Sequence, residues 1–187
     1  MSSLQALIDV YIEPLRALIG TEDELASEVE IRSVFPNIRV IYQYNSAFLA
    51  QLEESVRAAP SRSEASVGAV FLTFAAWLRV YSTYINGFND AMQMLRELER
   101  RDPAMIKFER AAERRDKRCF SGLPSLLITP VQRVPRYVML LSQLVKVTPN
   151  SHDDHDRLVK YAPDFLPWQF VELIDEGIDG LTDLMIA

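Results

Sequence analysis

Residues 126–141 read Leu126-Leu127-Ile128-Thr129-Pro130-Val131-Gln132-Arg133-Val134-Pro135-Arg136-Tyr137-Val138-Met139-Leu140-Leu141. Two prolines and two arginines stand here in an amphipathic helical pattern. A proline in a helix interior removes a backbone donor and costs about 3 kcal/mol, so a helix that tolerates two is shaping a particular surface. Leu127, Val131, Val134, Val138, Leu141 and Val145 recur at spacings of four and three, which defines a seam facing a core. Thr129, Arg133, Arg136, Leu140 and Gln143 fall on the opposite side. A solvated face would carry Glu and Lys; this one mixes arginine with apolar atoms, the composition of interface centres. Arginine offers a planar fork for a partner's carboxylate. On helix spacing alone the alternative stands beside this: Arg133 and Arg136 pair with acidic residues of neighbouring helices.

Working outward, the rest of the chain is helical in pattern. Leu4, Leu7, Ile8, Tyr11, Ile12 and Leu15 make one apolar face over Ser3 to Ile19, with Pro14 expected to kink it. Thr21-Glu22-Asp23-Glu24 reads as a helix start, an N-cap with a carboxylate three residues on. A second helical region spans Ile31 to Arg57. A third runs from about Val67 to Leu98, interrupted near Asn86-Gly87, with Trp77, Tyr81 and Tyr84 as core. Pro103 opens a helix to about Lys117. Ser121-Gly122-Leu123-Pro124 reads as a turn, with Ser125 capping the helix that holds the two prolines. That helix reaches Val147 and stops at Pro149. Asn150 to Asp156 reads as a polar loop. Beyond it Pro163 and Pro167 break any long helix, and a short one resumes from Pro167 to Asp175. The expectation is an all-α protein, an elongated bundle of about six helices whose last helix is interrupted.

Composition agrees. The chain has 187 residues, 49% of them hydrophobic, with six glycines and no Asn-Gly or Asp-Gly between alternating runs. A net charge of −6 argues against nucleic acid as the partner. From Arg96 to Arg118 nine basic residues face six acidic ones, which reads first as a solvated helix face of alternating charge and second as a surface for acidic lipid or an acidic partner. From Asn150 onward two basic residues face nine acidic ones. The lone Cys119 excludes a disulfide framework and fits a reducing, cytoplasmic setting. Its basic neighbours would lower its pKa, although no histidine lies near it in sequence. His152-Asp153-Asp154-His155-Asp156 has zinc-compatible side chains, but in a polar loop without cysteine support it reads as loop and helix cap. No catalytic constellation, metal site or cofactor motif stands out.

The run Leu127-Ile128-Thr129-Pro130-Val131-Gln132-Arg133-Val134-Pro135-Arg136-Tyr137, followed by Leu140-Leu141, Leu144 and Thr148-Pro149, resembles the third conserved region of Dbl-homology (DH) domains, the exchange modules for Rho-family GTPases. Upstream, Leu4 through Tyr11 to Pro14-Leu15 resembles the end of that family's first helix. Phe35-Pro36-Asn37-Ile38, Ile41, Asn45, Phe48-Leu49 and Leu52-Glu53 resemble the following segment, and Phe71-Leu72, Tyr81, Tyr84 and Ala91 the second conserved region. The resemblance covers about residues 3 to 158. It implies a DH-like helical domain over 1–160, with an atypical segment over 161–187. It also implies a partner, a Rho-family small GTPase, met by the first-region and third-region helices, with Thr129, Gln132, Arg133, Arg136 and Leu140 as GTPase-binding residues. The implied activity is guanine-nucleotide exchange in cytoskeletal signalling, without covalent chemistry: the switch segments are held where Mg²⁺ and phosphate are poorly accommodated.

Four departures accompany the resemblance. The family's first-helix glutamate, which meets the first switch, falls before Met1. The long last helix begins at Asp156-Arg157-Leu158-Val159-Lys160 and loses its pattern at Tyr161-Ala162-Pro163. Thr129 stands where many members carry a lysine, and the pleckstrin-homology module that usually follows is not in this sequence. These imply an alternative, an exchange-deficient fragment acting as a scaffold or GTPase-binding module. The resemblance leaves the oligomeric state open and allows membrane proximity through partners.

Overall fold

The computed structural model describes residues 2–75 and 78–161. Among these every regular element is helical: α1 (Ser2–Ala6), a π-helical segment (Leu7–Ile12), α2 (Glu13–Ala17), α3 (Glu28–Val34), α4 (Ile38–Ala58), a 3₁₀ turn (Arg62–Glu64), α5 (Val67–Ala75), α6 (Leu78–Asn86), α7 (Phe88–Arg101), α8 (Pro103–Arg115), a second 3₁₀ turn (Lys117–Cys119), α9 (Gly122–Leu127), α10 (Thr129–Val147) and α11 (His155–Tyr161). No described helix is long and apolar enough to cross a membrane. The expected interruption of the last helix, the helix from Pro167, Trp77 and Trp168 lie outside the described residues.

The all-α reading holds, with a finer division than about six helices. The first helix is divided by its π segment. There Glu13 N–H reaches back five residues to Ile8 O, and the widened register takes in Pro14, which has no N–H and crowds the preceding turn. The region from Ile31 to Arg57 is broken at Phe35–Asn37. Pro36 disfavours helix at the residue before it, and Asn37 turns the chain with φ of 55°, a conformation Asn accepts more readily than most residues. The break expected near Asn86-Gly87 is present at Gly87.

Thr21 does not start a helix. Its hydroxyl donates to Leu18 O at 2.7 Å, and Glu24 accepts from Gly20 N–H at 2.6 Å, so these residues close the first helix. The start lies at Ser27 instead. Ser27 accepts from Glu30 N–H, while the Glu30 carboxylate accepts from Ser27 N–H at 2.8 Å, a full capping box. Ser125 likewise caps nothing; it lies inside α9.

The chain divides into two compact units: Met1–Tyr42 with Thr83–Val131, and Gln43–Ser82 with the described part of Gln132–Ala187. In the first, Leu7, Leu15, Ile31, Leu95, Leu98 and Met105 are fully buried. Ion pairs bind its elements at the rim. Arg16 grips Glu28 with two bonds of 2.5 and 3.0 Å, and Arg101 at the end of α7 pairs with Glu30 and donates to Leu25 O at 3.0 Å. The Arg101 hydrogen bond, more than any other influence, holds the Glu30 carboxyl well down, at about 2.

In the second unit an aromatic cluster forms the core. Phe48 of α4 stacks on Phe74 of α5 at 4.1 Å, and Tyr137 of α10 meets Phe48, Phe71 and Phe74 edge-on at 5.6 to 5.9 Å. Edge-to-face pairs at the separations Tyr137 makes are a favoured aromatic geometry. Asp154 ties α5 to α11. Only 1% exposed, it accepts from Gly68 N–H at 2.5 Å and from Ser66 Oγ at 2.9 Å, satisfying an otherwise orphaned donor at the start of α5.

Candidate functional site

Helix α10 carries the motif. Pro130 falls in its first turn, where a missing N–H costs nothing. Only Pro135 is interior, and it deprives the Val131 carbonyl of its usual donor four residues on. The helix runs through it unbroken. Two bonds close the junction ahead of α10: Thr129 Oγ1 donates to Leu126 O, half-buried, and Tyr84 OH to Leu127 O, buried, both at 2.7 Å. Burial pushes the Tyr84 phenol above its ordinary range, so it stays a donor.

The seam read from the sequence is largely the buried one. Leu127, Val131, Val134 and Leu141 are buried, while Val138 and Val145 are half-buried. Sequence spacing left Tyr137 off the seam, yet it is 7% exposed and central to the aromatic cluster. The phenolic oxygen accepts from Arg133 Nε at 2.9 Å and donates to Asn45 Oδ1 at 3.3 Å, while Asn45 Nδ2 donates to Tyr81 OH at 2.5 Å. A chain of polar groups therefore runs from an exposed arginine into the unit's interior. Burial also pushes the Tyr81 phenol up.

On the other side, Arg133, Arg136 and Gln143 are exposed, Leu140 is 59% exposed and Gln132 is half-buried. Met139, which sequence spacing did not place on this face, is 61% exposed beside Leu140. Its signal was its spacing of three from Arg136, which puts the two on one face of the helix. Among the described residues neither Arg133 nor Arg136 pairs with a carboxylate, against the expectation of structural ion pairs. Arg133 instead lies over the Tyr137 ring with its guanidinium carbon 4.8 Å from the centroid. Gln132, Arg133, Arg136 and Leu140 thus share one helix within the second unit. Thr129 belongs to the first unit and is half-buried, with its hydroxyl committed to Leu126 O.

The other chemical candidates resolve into structure. His152 Nδ1 accepts from Asp154 N–H at 3.0 Å, so the proton sits on Nε2, which donates to Ser63 O at 2.6 Å. With Asp154 committed to α5, no group of three metal-ligating side chains exists among the described residues. Cys119 is buried, and burial pushes its thiol up rather than the basic neighbours pulling it down. Tyr81 and Tyr84 are core residues, each 1% exposed.

The family model for the RhoGEF domain matches residues 1–164. Guanine exchange factor for Rac 30 of Dictyostelium discoideum is 32% identical over 158 residues, covering 84% of this chain and 9% of that protein. Rac guanine nucleotide exchange factor JJ of the same organism is 33% identical over 153 residues, 81% of this chain and 12% of that one. Human Rho guanine nucleotide exchange factor 17 is 29% identical over 181 residues, 95% of this chain and 8% of that protein. The chain thus spans about a tenth of the length of these curated relatives. The fold is similar to the DH/PH domains of p115-RhoGEF (R399E mutant), with a TM-score of 0.79 at 19% identity over 98% of this chain and 52% of that one. It is similar as well to PDZ-RhoGEF DH/PH domains in complex with GTP-gamma-S activated RhoA, with a TM-score of 0.77 at 17% identity over 94% and 48%. The chain belongs to the RhoGEF domain family.

Proposed function

We propose that the chain is a guanine-nucleotide exchange module for a Rho-family small GTPase, and that Gln132, Arg133, Arg136 and Leu140 on the outer face of α10 meet it. One observation carries the assignment of the face: two arginines without carboxylate partners among the described residues stand beside exposed Leu140 and Met139, on a helix whose opposite side is buried. Surfaces of stranded arginine and apolar atoms gain by covering. The relatives support the partner class, being named exchange factors for Rac and for Rho.

Exchange needs no acid, base or nucleophile. A protein that binds the nucleotide-free GTPase more tightly than the nucleotide-bound form lowers nucleotide affinity by the same factor. Arg133 and Arg136 are suited to a partner's carboxylates through forked hydrogen bonds, and Leu140 and Met139 supply the apolar contact that excludes water around them. Thr129 acts indirectly, by fixing where α10 begins.

Co-purification with nucleotide-depleted Rho-family GTPases tests the partner. Retention of the depleted form over the GDP-loaded form is expected, and equal retention of both would contradict exchange. Retention without accelerated GDP release would leave a GTPase-binding scaffold.

A further inference from the structure

Helix α8 and the turn after it sort their charges by face. The sequence from Arg96 to Arg118 interleaves acids and bases, but within α8 Glu109 is buried and Glu113 half-buried, while Lys107, Arg110 and Arg114 are exposed. Spacings of three and four place these three cations on one stripe. Lys117, just past the helix end, is exposed three residues further on, and Phe120 three residues beyond that is 87% exposed. None of the four cations pairs with a carboxylate among the described residues, whereas nearby Arg118 is taken up by Asp116 at 2.7 Å and Asp9 at 3.5 Å.

An ordinary solvated helix face mixes both signs and carries no large aromatic ring in water. A single-sign stripe ending in an exposed phenylalanine has a different chemistry. The cations suit the phosphates of anionic lipids, and the ring suits the boundary between headgroups and acyl chains. We propose that this face of α8, with Phe120 as its inserted side chain, docks on an anionic lipid bilayer. The net charge of −6 does not oppose this, because from Arg96 to Arg118 nine basic residues face six acidic ones, and the acidic excess of the sequence lies from Asn150 onward. A bilayer fits better than an acidic protein because Phe120 stands at the tip of a turn, where a planar, deformable interface can receive it.

The test is co-sedimentation of the chain with two sets of vesicles, phosphatidylcholine alone and phosphatidylcholine with about a third phosphatidylserine. Binding to the second set only is expected, weakening as salt rises. The triple variant Arg110→Glu, Arg114→Glu, Lys117→Glu should lose about tenfold or more in affinity. Phe120→Ser, which changes no charge, should lose several-fold, with the circular dichroism of both variants unchanged because every altered side chain is exposed. Failure of the wild-type chain to bind either vesicle set would overturn the proposal. So would binding that the triple variant retains. Tight binding to poly-glutamate with vesicle binding indifferent to Phe120→Ser would also overturn it, and would assign the stripe to an acidic protein.

Discussion

Arg133 Nε lies 2.9 Å from the phenolic oxygen of Tyr137, one turn further along α10, and its guanidinium carbon rests 4.8 Å from the centre of the same ring. The tyrosine is buried and the arginine exposed, so a core residue positions a residue proposed to meet the GTPase. Removing the hydroxyl separates these roles. Tyr137→Phe keeps the ring packing but leaves Asn45 Oδ1 without this donor, and should lower stability by about 1–2 kcal/mol in urea unfolding. It should also weaken GTPase binding, because Arg133 must then be ordered at the moment of contact. An unchanged affinity would show that the pairing does not position Arg133.

Glu109 should set a pH dependence. Burial first, and then the neighbouring Glu99 and Glu113, push its carboxyl up to about 7. Between its unfolded value of about 4.3 and 7 the unfolded chain has released this proton and the folded chain has kept it, so stability falls as pH rises across that window and stays lower above it. Glu109→Gln should flatten this slope and make the protein more stable than wild type at pH 8 by about 1–3 kcal/mol. Parallel urea titrations at pH 5 and pH 8 check it; the same slope in both proteins would contradict it.

Glu30 works in the opposite direction. Its carboxyl is held down by Arg101, so the pairing contributes fully above the unfolded value and is lost as pH falls toward about 2. Arg101→Gln should therefore unfold at a higher pH than wild type in an acid titration followed by circular dichroism. Coincident acid transitions would remove Arg101 as the cause.

Asp154 should be the costliest polar residue to replace. Asp154→Ala leaves Gly68 N–H and Ser66 Oγ without their acceptor in a buried place, a loss of about 2–4 kcal/mol. Gly68→Ala should destabilise as well, since a Cβ there would meet Arg157 Cβ and Asp154 Oδ1 at 3.0 Å and the Leu158 backbone nitrogen at 3.1 Å. Urea midpoints for both variants check this, and wild-type values for either would contradict the packing of α5 on α11.

Particular residues show how far the sequence could be read. The period of three and four along α10 placed Val131, Val134 and Leu141 inside and Arg133, Arg136 and Leu140 outside, as the structure has them. Tyr137 escaped because its neighbour Val138 satisfies the same period, and only tertiary packing against Phe48, Phe71 and Phe74 selects the ring. Thr21-x-x-Glu24 and Ser27-x-x-Glu30 are equivalent cap signals in sequence. What separates them is that Thr21 still lies within reach of the Leu18 carbonyl. The π segment ahead of Pro14 has no local signature beyond the proline itself. The basic stripe of α8 was hidden in a run that alternates in sequence but not around the helix axis.

We propose that the outer face of α10 drives nucleotide exchange. Its most direct test is the release of fluorescent GDP from a panel of Rho-family GTPases by catalytic amounts of the chain, with and without Arg133→Glu and Arg136→Glu. Saturable acceleration by the wild type on at least one GTPase is expected, with a loss of about tenfold or more in the double variant, whose circular dichroism stays unchanged because both side chains are exposed. Acceleration that survives the double charge reversal, or none by the wild type on any member of the panel, would contradict it.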